Sequence, residues 1–203
     1  MFKLIKQIDF LHLKQMESQY INQAIQLKNY KTALQATEKY FEKFVRKLKE
    51  TKAVIFDIRS NIDDVETYIC VVDDRDDNLN GSLDIYIMNV EIAISEVWGK
   101  FTDMPHMRTD FSPNKIVINE LHCDVDGHNY EGKRYARMMV ETIKSIALDT
   151  KRFEIVGSLS EKDAETQEKK ERRNSFYERH GFKLKFNDEK CKSGSFSISL
   201  KWK

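Results

Sequence analysis

Apolar and polar residues recur along the first quarter of the chain at the spacings of one strand and two helices. The segment Phe2–Gln7 alternates apolar with polar residues, which predicts a short strand. Apolar residues at every third or fourth position predict a helix over Asp9–Leu27, with Asp9 as its N-cap, and a second helix over Thr32–Glu50. Any helix that packs against other elements shows apolar residues along one face. We therefore interpret the apolar faces of both helices as core packing or as a dimer seam.

The middle of the chain has the composition of strands. Lys52–Ile58 predicts an irregular strand. Thr67–Val72 and Leu83–Met88 are rich in β-branched and aromatic residues, and they flank the polar run Asp73–Ser82, which contains an Asn-Gly pair. Two strand-type segments around such a turn predict a β-hairpin.

Strand and helix patterns alternate in the rest of the chain. The segment Asn89–Asn114 is ambiguous, with a short helix predicted around Ile94–Trp98. We then predict, in order, a strand over Ile116–Cys123, a helix over Tyr130–Leu148, a strand over Phe153–Leu159, a helix over Asp163–His180 that Gly181 ends, and strands over Phe182–Phe186 and Ser195–Trp202. This order predicts an α/β (α+β) fold, a mixed sheet with helices on both faces. We expect one domain over 1–203, with 1–58 as the opening strand and helical pair and 67–203 as the sheet core.

Composition narrows the class of partner. Lys plus Arg number 34 and Asp plus Glu number 33, for a formal net charge of +1 over 203 residues. Such a balance disfavours nucleic acid or an anionic membrane as the main partner. The sequence shows no signal peptide and no apolar run of the roughly 20 residues that a bilayer crossing needs. Three scattered cysteines fit a reducing compartment, so we expect a cytoplasmic protein.

The turn after the first hairpin strand resembles part of a calcium-binding loop. Asp76, Asn78, Asn80, Gly81 and Leu83 match the first two-thirds of an EF-hand loop, but its twelfth position is Ile87 where a glutamate should close the cage. The flanking segments are strands rather than helices. We therefore interpret the segment as a polar hairpin turn.

Two segments of the second half resemble the GNAT acetyltransferase superfamily. The strand Ile116–Asp124 leads through a loop into Glu131-Gly-Lys-Arg-Tyr-Ala136, which resembles the family's Arg/Gln-x-x-Gly-x-Gly/Ala loop before a helix. Downstream, Asn174-Ser-Phe-Tyr-Glu-Arg-His-Gly-Phe182 resembles the family's Asn-x-x-Phe-Tyr-x-x-x-Gly-Phe segment. The resemblance covers nearly the whole chain and is specific from Ile116 onward.

This resemblance implies a GNAT fold that binds acetyl-CoA as co-substrate. The family fold has a mostly antiparallel central sheet, with a splay between its fourth and fifth strands, here Ile116–Cys123 and Phe153–Leu159. A CoA pyrophosphate suits the backbone N–H groups of a helix N-terminus. The residues implied in cofactor binding are Leu121, Cys123, Val125, Glu131, Gly132, Lys133, Arg134, Tyr135, Ala136 and Asn174. Glu131 departs from the family's Arg or Gln, Arg134 replaces its middle glycine, and about three extra residues lengthen the loop.

Three side chains are candidates for catalysis. In the resembling family the tyrosine of Phe-Tyr, here Tyr177, is the general acid that protonates the CoA thiolate as it leaves. Glu120 and His122 alternate along one strand and so share a sheet face, where either could take the proton of an attacking amine. A half-exposed polar face with no catalytic role explains Glu120 and His122 as well. A zinc site from His122, Cys123 and His128 is disfavoured, because no second ligand pair stands at metal spacing.

The sequence thus predicts an N-acetyltransferase that moves an acetyl group from acetyl-CoA to a small-molecule or peptide amine acceptor by direct attack. Trp98, Phe101, His106 and Arg108 are candidates for acceptor specificity. A GNAT-like protein that binds acyl-CoA or a protein partner without turnover is the main alternative. A helical and sheet interaction module, similar to GNAT enzymes by accident, is a third. No nucleic acid, membrane or metal is expected, and homodimerisation stays open.

Overall fold

A computed structural model describes residues 27–28, 31, 38, 42, 45–46, 48–50, 52–60, 63, 65–89, 104–125, 128–129 and 132–201. The chain divides into two compact units, Met1–Lys47 and Leu48–Lys203, and the sheet lies in the second. Every described residue from Lys31 to Glu50 is helical, as the second predicted helix requires. The predicted opening strand, nearly all of the first helix, the Ile94–Trp98 helix and Phe101 lie outside the described residues. The single-domain expectation stays a prediction.

In the described part of the chain, eight strands form one mixed sheet: β1 Val54–Ser60, β2 Glu66–Arg75, β3 Gly81–Asn89, β4 His106–Phe111, β5 Lys115–His122, β8 Glu154–Leu159, β9 Lys183–Phe186 and β10 Gly194–Ser199. Their order across the sheet is β1-β2-β3-β4-β5-β8-β10-β9. Strands β6 Asp124–Val125 and β7 His128–Asn129 form a separate small hairpin. Helix α1 covers Tyr135–Asp149, and helix α2 covers Gln167–Arg179. All neighbours in the large sheet are antiparallel except β5 and β8, which are parallel. The mixed, mostly antiparallel sheet predicted from the sequence is confirmed.

The β2–β3 hairpin closes through its own side chains. Asp76 Oδ1 accepts hydrogen bonds from the backbone N–H groups of Asn78 and Asn80, both at 2.9 Å. Gly81 follows with a φ of 120°, and a Cβ there would stand 2.9 Å from the Asp74 carbonyl oxygen. The residues that resemble calcium ligands therefore shape the turn, and the interpretation as a polar hairpin turn is confirmed.

The edge strand β1 is irregular, as its sequence predicts. Its register with β2 shifts between Ile55 and Asp57. Such a bulge bends the strand and increases its twist. Beyond the shift, Arg59 pairs with Glu141 of α1 at 2.9 Å, which ties β1 to that helix.

Helices α1 and α2 pack on one face of the sheet, which we call the helix face. The Asn89 side chain at the end of β3 donates to the Tyr135 hydroxyl at 2.6 Å, which ties this face to the start of α1. Lys144 of α1 donates to the carbonyl oxygen of His180, the C-cap residue of α2, so α2 lies on the same side. The core between α1 and the sheet consists of fully buried side chains from both, among them Ile85, Ile87, Met107, Ile116, Met139 and Ile143. None of the described helices combines the length and apolar character that a bilayer crossing requires.

Three boundaries differ from the sequence prediction. Strand β4, His106–Phe111, lies inside the segment whose pattern was ambiguous. Helix α1 begins at Tyr135 rather than near Tyr130. The second helix of this half was predicted from Asp163, but Lys162–Ala164 is a 3₁₀ turn and α2 starts after Thr166. The Thr166 hydroxyl accepts from the Lys169 N–H at 3.2 Å, and this N-cap fixes the start of the helix.

Candidate active site

Strands β5 and β8 part halfway along their length. Four residue pairs join them, from Lys115↔Glu154 to Ile118↔Gly157. Beyond Ile118, β5 stays paired with β4 up to His106↔His122. Beyond Gly157, β8 stays paired with β10 up to Gly194↔Leu159. The sheet therefore opens between β5 and β8 where the sequence predicted a splay between its fourth and fifth strands.

A β-bulge lies where the strands part. Thr109 of β4 pairs with Ile118 and Arg108 pairs with Glu120, which leaves Asn119 of β5 as the extra residue. Its side-chain amide donates to Asp110 Oδ2 at 2.8 Å. A bulge interrupts the ladder and bends the strand. Asn119 thus turns the end of β5 away from β8.

The bulge also decides which way the candidate bases face. Ile118 lies opposite Thr109 on the helix face, whereas Glu120 and His122 lie opposite Arg108 and His106 on the other face. Simple alternation would have kept Glu120 on the face of Ile118. The expectation that Glu120 and His122 share a face is confirmed, and the extra residue places that face away from α1.

Six polar or aromatic side chains stand together on this second face, and we call them the polar platform. They form two rows across strands β3, β4 and β5: Tyr86, His106 and His122 in one row, and Asp84, Arg108 and Glu120 in the other. The ring centroids of Tyr86 and His106 are 6.1 Å apart, and those of His106 and His122 are 5.7 Å apart.

Charges and hydrogen bonds link the second row. Arg108 lies 3.6 Å from a Glu120 oxygen and 3.9 Å from an Asp84 oxygen. The Tyr86 hydroxyl donates to Asp84 Oδ2 at 3.1 Å. Burial raises the pKa of Asp84, while the Tyr86 hydrogen bond and the Arg108 charge oppose that rise. Burial also raises the pKa of Tyr86, and the Asp84 charge adds to it.

Tyr177 lies on the helix face, in an aromatic cluster. Its ring stacks on Phe196 at 4.1 Å and meets Phe182 and Phe176 edge-on at 5.8 and 5.3 Å. Only 9% of the residue is exposed. Burial raises the pKa of Tyr177 well above its ordinary value, with smaller contributions from the Asp163 and Cys123 charges, so the phenol is a proton donor at neutral pH. The Phe176 ring packs against Tyr177 and His180.

The loop before α1 presents backbone N–H groups. Gly132 has a φ of 78° and Arg134 a φ of 68°, and a Cβ on Gly132 would meet no atom within 4 Å. Arg134 is the N-cap residue, yet its side chain makes no capping bond, and the first turn of α1 holds no acidic residue. The N–H groups that open α1 therefore keep the positive end of the helix dipole for an anion.

The other residues implied in cofactor binding have varied surroundings. Tyr135 is buried with its hydroxyl on Asn89, so it offers the cofactor a backbone N–H rather than a side chain. The Lys133 ammonium pairs with Asp63. The Asn174 amide oxygen accepts two bonds from Arg173, at 3.0 and 3.1 Å, which leaves its NH₂ as the donor. Three of the residues are half-buried: Leu121, Cys123 and Ala136. Val125 belongs to strand β6, and Glu131 lies outside the described residues.

The structure brings some of the sequence candidates together and keeps others apart. Glu120 and His122 lie on the polar platform, and Tyr177 lies on the opposite face among aromatic rings. His106 and Arg108, which the sequence suggested only for specificity, contact Glu120 directly. Within the described part of the chain, no three His, Cys, Asp or Glu side chains group closely enough to hold a metal ion.

No family model matches the chain, and no curated protein matches it. Among solved structures, the chain is similar to the PaiA N-acetyltransferase of Thermoplasma acidophilum, solved with coenzyme A, at 14% identity and a TM-score of 0.42. The matched part is 61% of this chain and 63% of that one, so the chain spans less than two thirds of the length of this relative.

Two further solved structures are similar to the chain. One is an acetyltransferase from Bacillus cereus ATCC 14579, at 17% identity and a TM-score of 0.39, with 62% of this chain and 79% of that chain covered. The other, from Desulfovibrio desulfuricans, is assigned to the GNAT family, at 12% identity and a TM-score of 0.39, with 59% and 69% covered. The function is inferred from this chain's own residues.

Proposed function

We propose that the protein is an N-acetyltransferase that moves an acetyl group from acetyl-CoA to an amine. The parting of β5 and β8 at the Asn119 bulge carries this proposal. Beyond Ile118 the edge of β5 that faces β8 has no strand partner in the large sheet. Its N–H groups can therefore polarise the carbonyl of a thioester placed in the opening, as in an oxyanion hole.

The loop before α1 fits the diphosphate of such a cofactor. A diphosphate needs several N–H donors, and the first turn of α1 presents them without an acidic residue of its own. Gly132 leaves open space where a side chain would otherwise stand. Arg134 adds an exposed guanidinium beside these N–H groups, which suits a phosphate oxygen. The bound cofactor would supply the acetyl group as a thioester.

The candidate acid and base lie on opposite faces of the sheet, on either side of the opening. Glu120 is 44% exposed on the polar platform, so an amine can reach it. Tyr177 is on the helix face, and its hydroxyl has no hydrogen-bond partner among the described residues. In direct attack the amine nitrogen forms the new C–N bond and gives its proton to Glu120. The C–S bond breaks as Tyr177 gives its proton to the sulfur.

A non-catalytic acyl-CoA-binding protein is the second candidate. Tyr177 is held by three aromatic rings, as a residue that only packs a helix would be. Under this alternative the opening and the α1 loop still bind the cofactor, but no thiol is released.

Two measurements on the purified protein test the proposal. Titration calorimetry with acetyl-CoA should give a saturable heat, and a panel of polyamines, aminoglycosides, amino acids and peptide N-termini should be assayed for thiol release. We expect release that depends on both acetyl-CoA and one class of amine. Binding without release for any amine favours the second candidate, and absence of binding contradicts both.

A further inference from the structure

The His106 side chain is buried in the sheet face that carries the polar platform. Only 3% of the residue is exposed. Its Nδ1 lies 2.8 Å from the backbone carbonyl oxygen of Met104. Tyr86 and His122 lie on either side of its ring in the first row of the polar platform. A buried imidazole held in this way has one orientation and cannot itself reach a bound amine.

The contact with Met104 determines where the ring protons are. A carbonyl oxygen only accepts, so Nδ1 must carry a proton. The other nitrogen, Nε2, is buried without a hydrogen-bond partner of good geometry, and its nearest charged neighbour is Glu120 Oε2 at 3.4 Å. An unprotonated Nε2 would place its lone pair against a carboxylate. The arrangement is favourable only when a proton stands between Nε2 and Oε2.

Glu120 is held by one oxygen and presents the other. Both His106 Nε2 and Arg108 approach the same atom, Oε2, at 3.4 and 3.6 Å. No described residue pairs with Oε1. Arg108 also lies 3.9 Å from an Asp84 oxygen, so its charge acts on two carboxylates. We therefore treat His106 as the main partner of Glu120 Oε2. The carboxylate is therefore contacted through Oε2, and on a side chain that is 44% exposed this leaves Oε1 for the acceptor amine.

We propose that His106 is a positioning residue for this reaction: its Nε2 proton holds Glu120 Oε2, so that Oε1 receives the proton of the acceptor amine. This inference rests on the proposed acetyltransferase function. His106 keeps its proton throughout, and the amine proton moves only to Oε1. The groups that face the pair from the described strands are Asp84 and Tyr86 on β3, Arg108 on β4 and His122 on β5.

Substitutions that keep or remove the Nε2 donor test the proposal by activity. In His106→Gln the side-chain amide can donate from the place of Nε2, so we expect a rate within about threefold of wild type. In His106→Leu the Nε2 donor is lost and the Arg108 contact alone remains on Oε2 among the described residues, so Glu120 is less well positioned and we expect kcat to fall by about 10²-fold. Calorimetry with acetyl-CoA should give unchanged affinity for both variants, which shows that each is folded, because the α1 loop lies on the other face.

Ring ¹⁵N NMR of His106 tests the same contact without any turnover. We expect Nε2 to carry a proton in the wild type and to be unprotonated in Glu120→Gln, since the neutral amide can donate to it. An unprotonated Nε2 in the wild type would overturn the proposal, as would a His106→Leu variant as active as the wild type. A wild type that releases no thiol refutes the acetyltransferase function instead, and the NMR result then still decides the contact.

Discussion

Gly157 of β8 and Phe196 of β10 lie directly opposite each other, and the phenylalanine ring fills the space that a side chain on Gly157 would need. A Cβ at Gly157 would stand 2.1 Å from the Phe196 Cζ atom. The same ring stacks on Tyr177 at 4.1 Å, and Gly157 is the last residue of β8 that pairs with β5. The absence of one side chain therefore allows the proposed acid to lie beside the opening.

Gly157→Ala should displace the Phe196 ring and Tyr177 with it. Overpacking of a closely packed core typically costs about 1–3 kcal/mol, so we expect the free energy of unfolding to fall by that amount. The thiol-release rate should fall as well, because the Tyr177 hydroxyl moves. Urea unfolding followed by circular dichroism measures the first effect, and a thiol assay measures the second.

The double variant Gly157→Ala with Phe196→Leu is the control for this clash. Leucine frees the space that the alanine methyl needs, so the two changes should be less destabilising together than the sum of their separate effects. Strictly additive effects would mean that the ring and the methyl group do not compete for one space.

Tyr177→Phe should lower kcat by about 10²-fold or more, since positioned general acids contribute about 10²–10⁴-fold. The aromatic ring is kept, so we expect little change in stability or in the affinity for acetyl-CoA. Burial holds the pKa of Tyr177 above its ordinary value of 10.0. The basic limb of kcat that reflects this group should therefore lie above pH 10. Steady-state thiol release across pH measures both effects.

Tyr68→Phe is the matched control, because Tyr68 is on β2 and its hydroxyl bonds Glu66. Its kcat should equal that of the wild type. A Tyr177→Phe enzyme with full turnover would show that another group, or water, protonates the leaving thiolate.

Arg134→Gly should stabilise the protein. Arg134 holds a φ of 68°, a left-handed conformation that costs a non-glycine residue roughly 1–2 kcal/mol. Part of the gain is offset by the greater entropy of glycine in the unfolded chain, so we expect a net increase of about 0.5–1 kcal/mol in the free energy of unfolding. Urea unfolding measures it.

Two further variants separate the backbone of Arg134 from its charge. Arg134→Ala keeps the unfavourable φ and removes the guanidinium, so acetyl-CoA affinity should fall by about tenfold, the effect of one lost charge-assisted hydrogen bond. Arg137→Gly, inside α1, should destabilise by about 1 kcal/mol. If glycine at 134 destabilises as much as glycine at 137, the left-handed conformation carries no strain.

Asp188→Asn should remove one contribution to acid stability. Backbone hydrogen bonds from Ser193 and then Lys192 lower the pKa of Asp188 to about 2. A carboxylate whose pKa is lowered on folding stabilises the protein above its unfolded value and loses that effect as pH falls through the folded one. The stability gap between wild type and Asp188→Asn should therefore be constant above pH 4 and shrink toward pH 2. Urea midpoints at pH 2–6 measure it, and a gap that stays constant down to pH 2 would contradict the lowered pKa.

The sequence determined the elements whose local pattern agrees with their surroundings. The β2–β3 hairpin follows from two β-branched segments around an Asn-Gly turn, and the irregular β1 follows from its mixed composition. The core of α1 follows from its regular apolar spacing. The motif around Tyr177 also placed that residue on the last helix. In each case the residues adjacent in sequence are enough to predict the secondary-structure element.

Only the tertiary structure decided the polar platform. Strand β4 carries His106, Arg108 and Asp110 on one face, so its sequence lacks the apolar run that is typical of a central strand. It is a central strand because it forms hydrogen bonds with both β3 and β5. The bulge at Asn119 exists because β4 and β5 pair in a register that the letters do not show. That one extra residue turns Glu120 toward His106, and cross-strand contacts of this kind depend on residues distant in sequence.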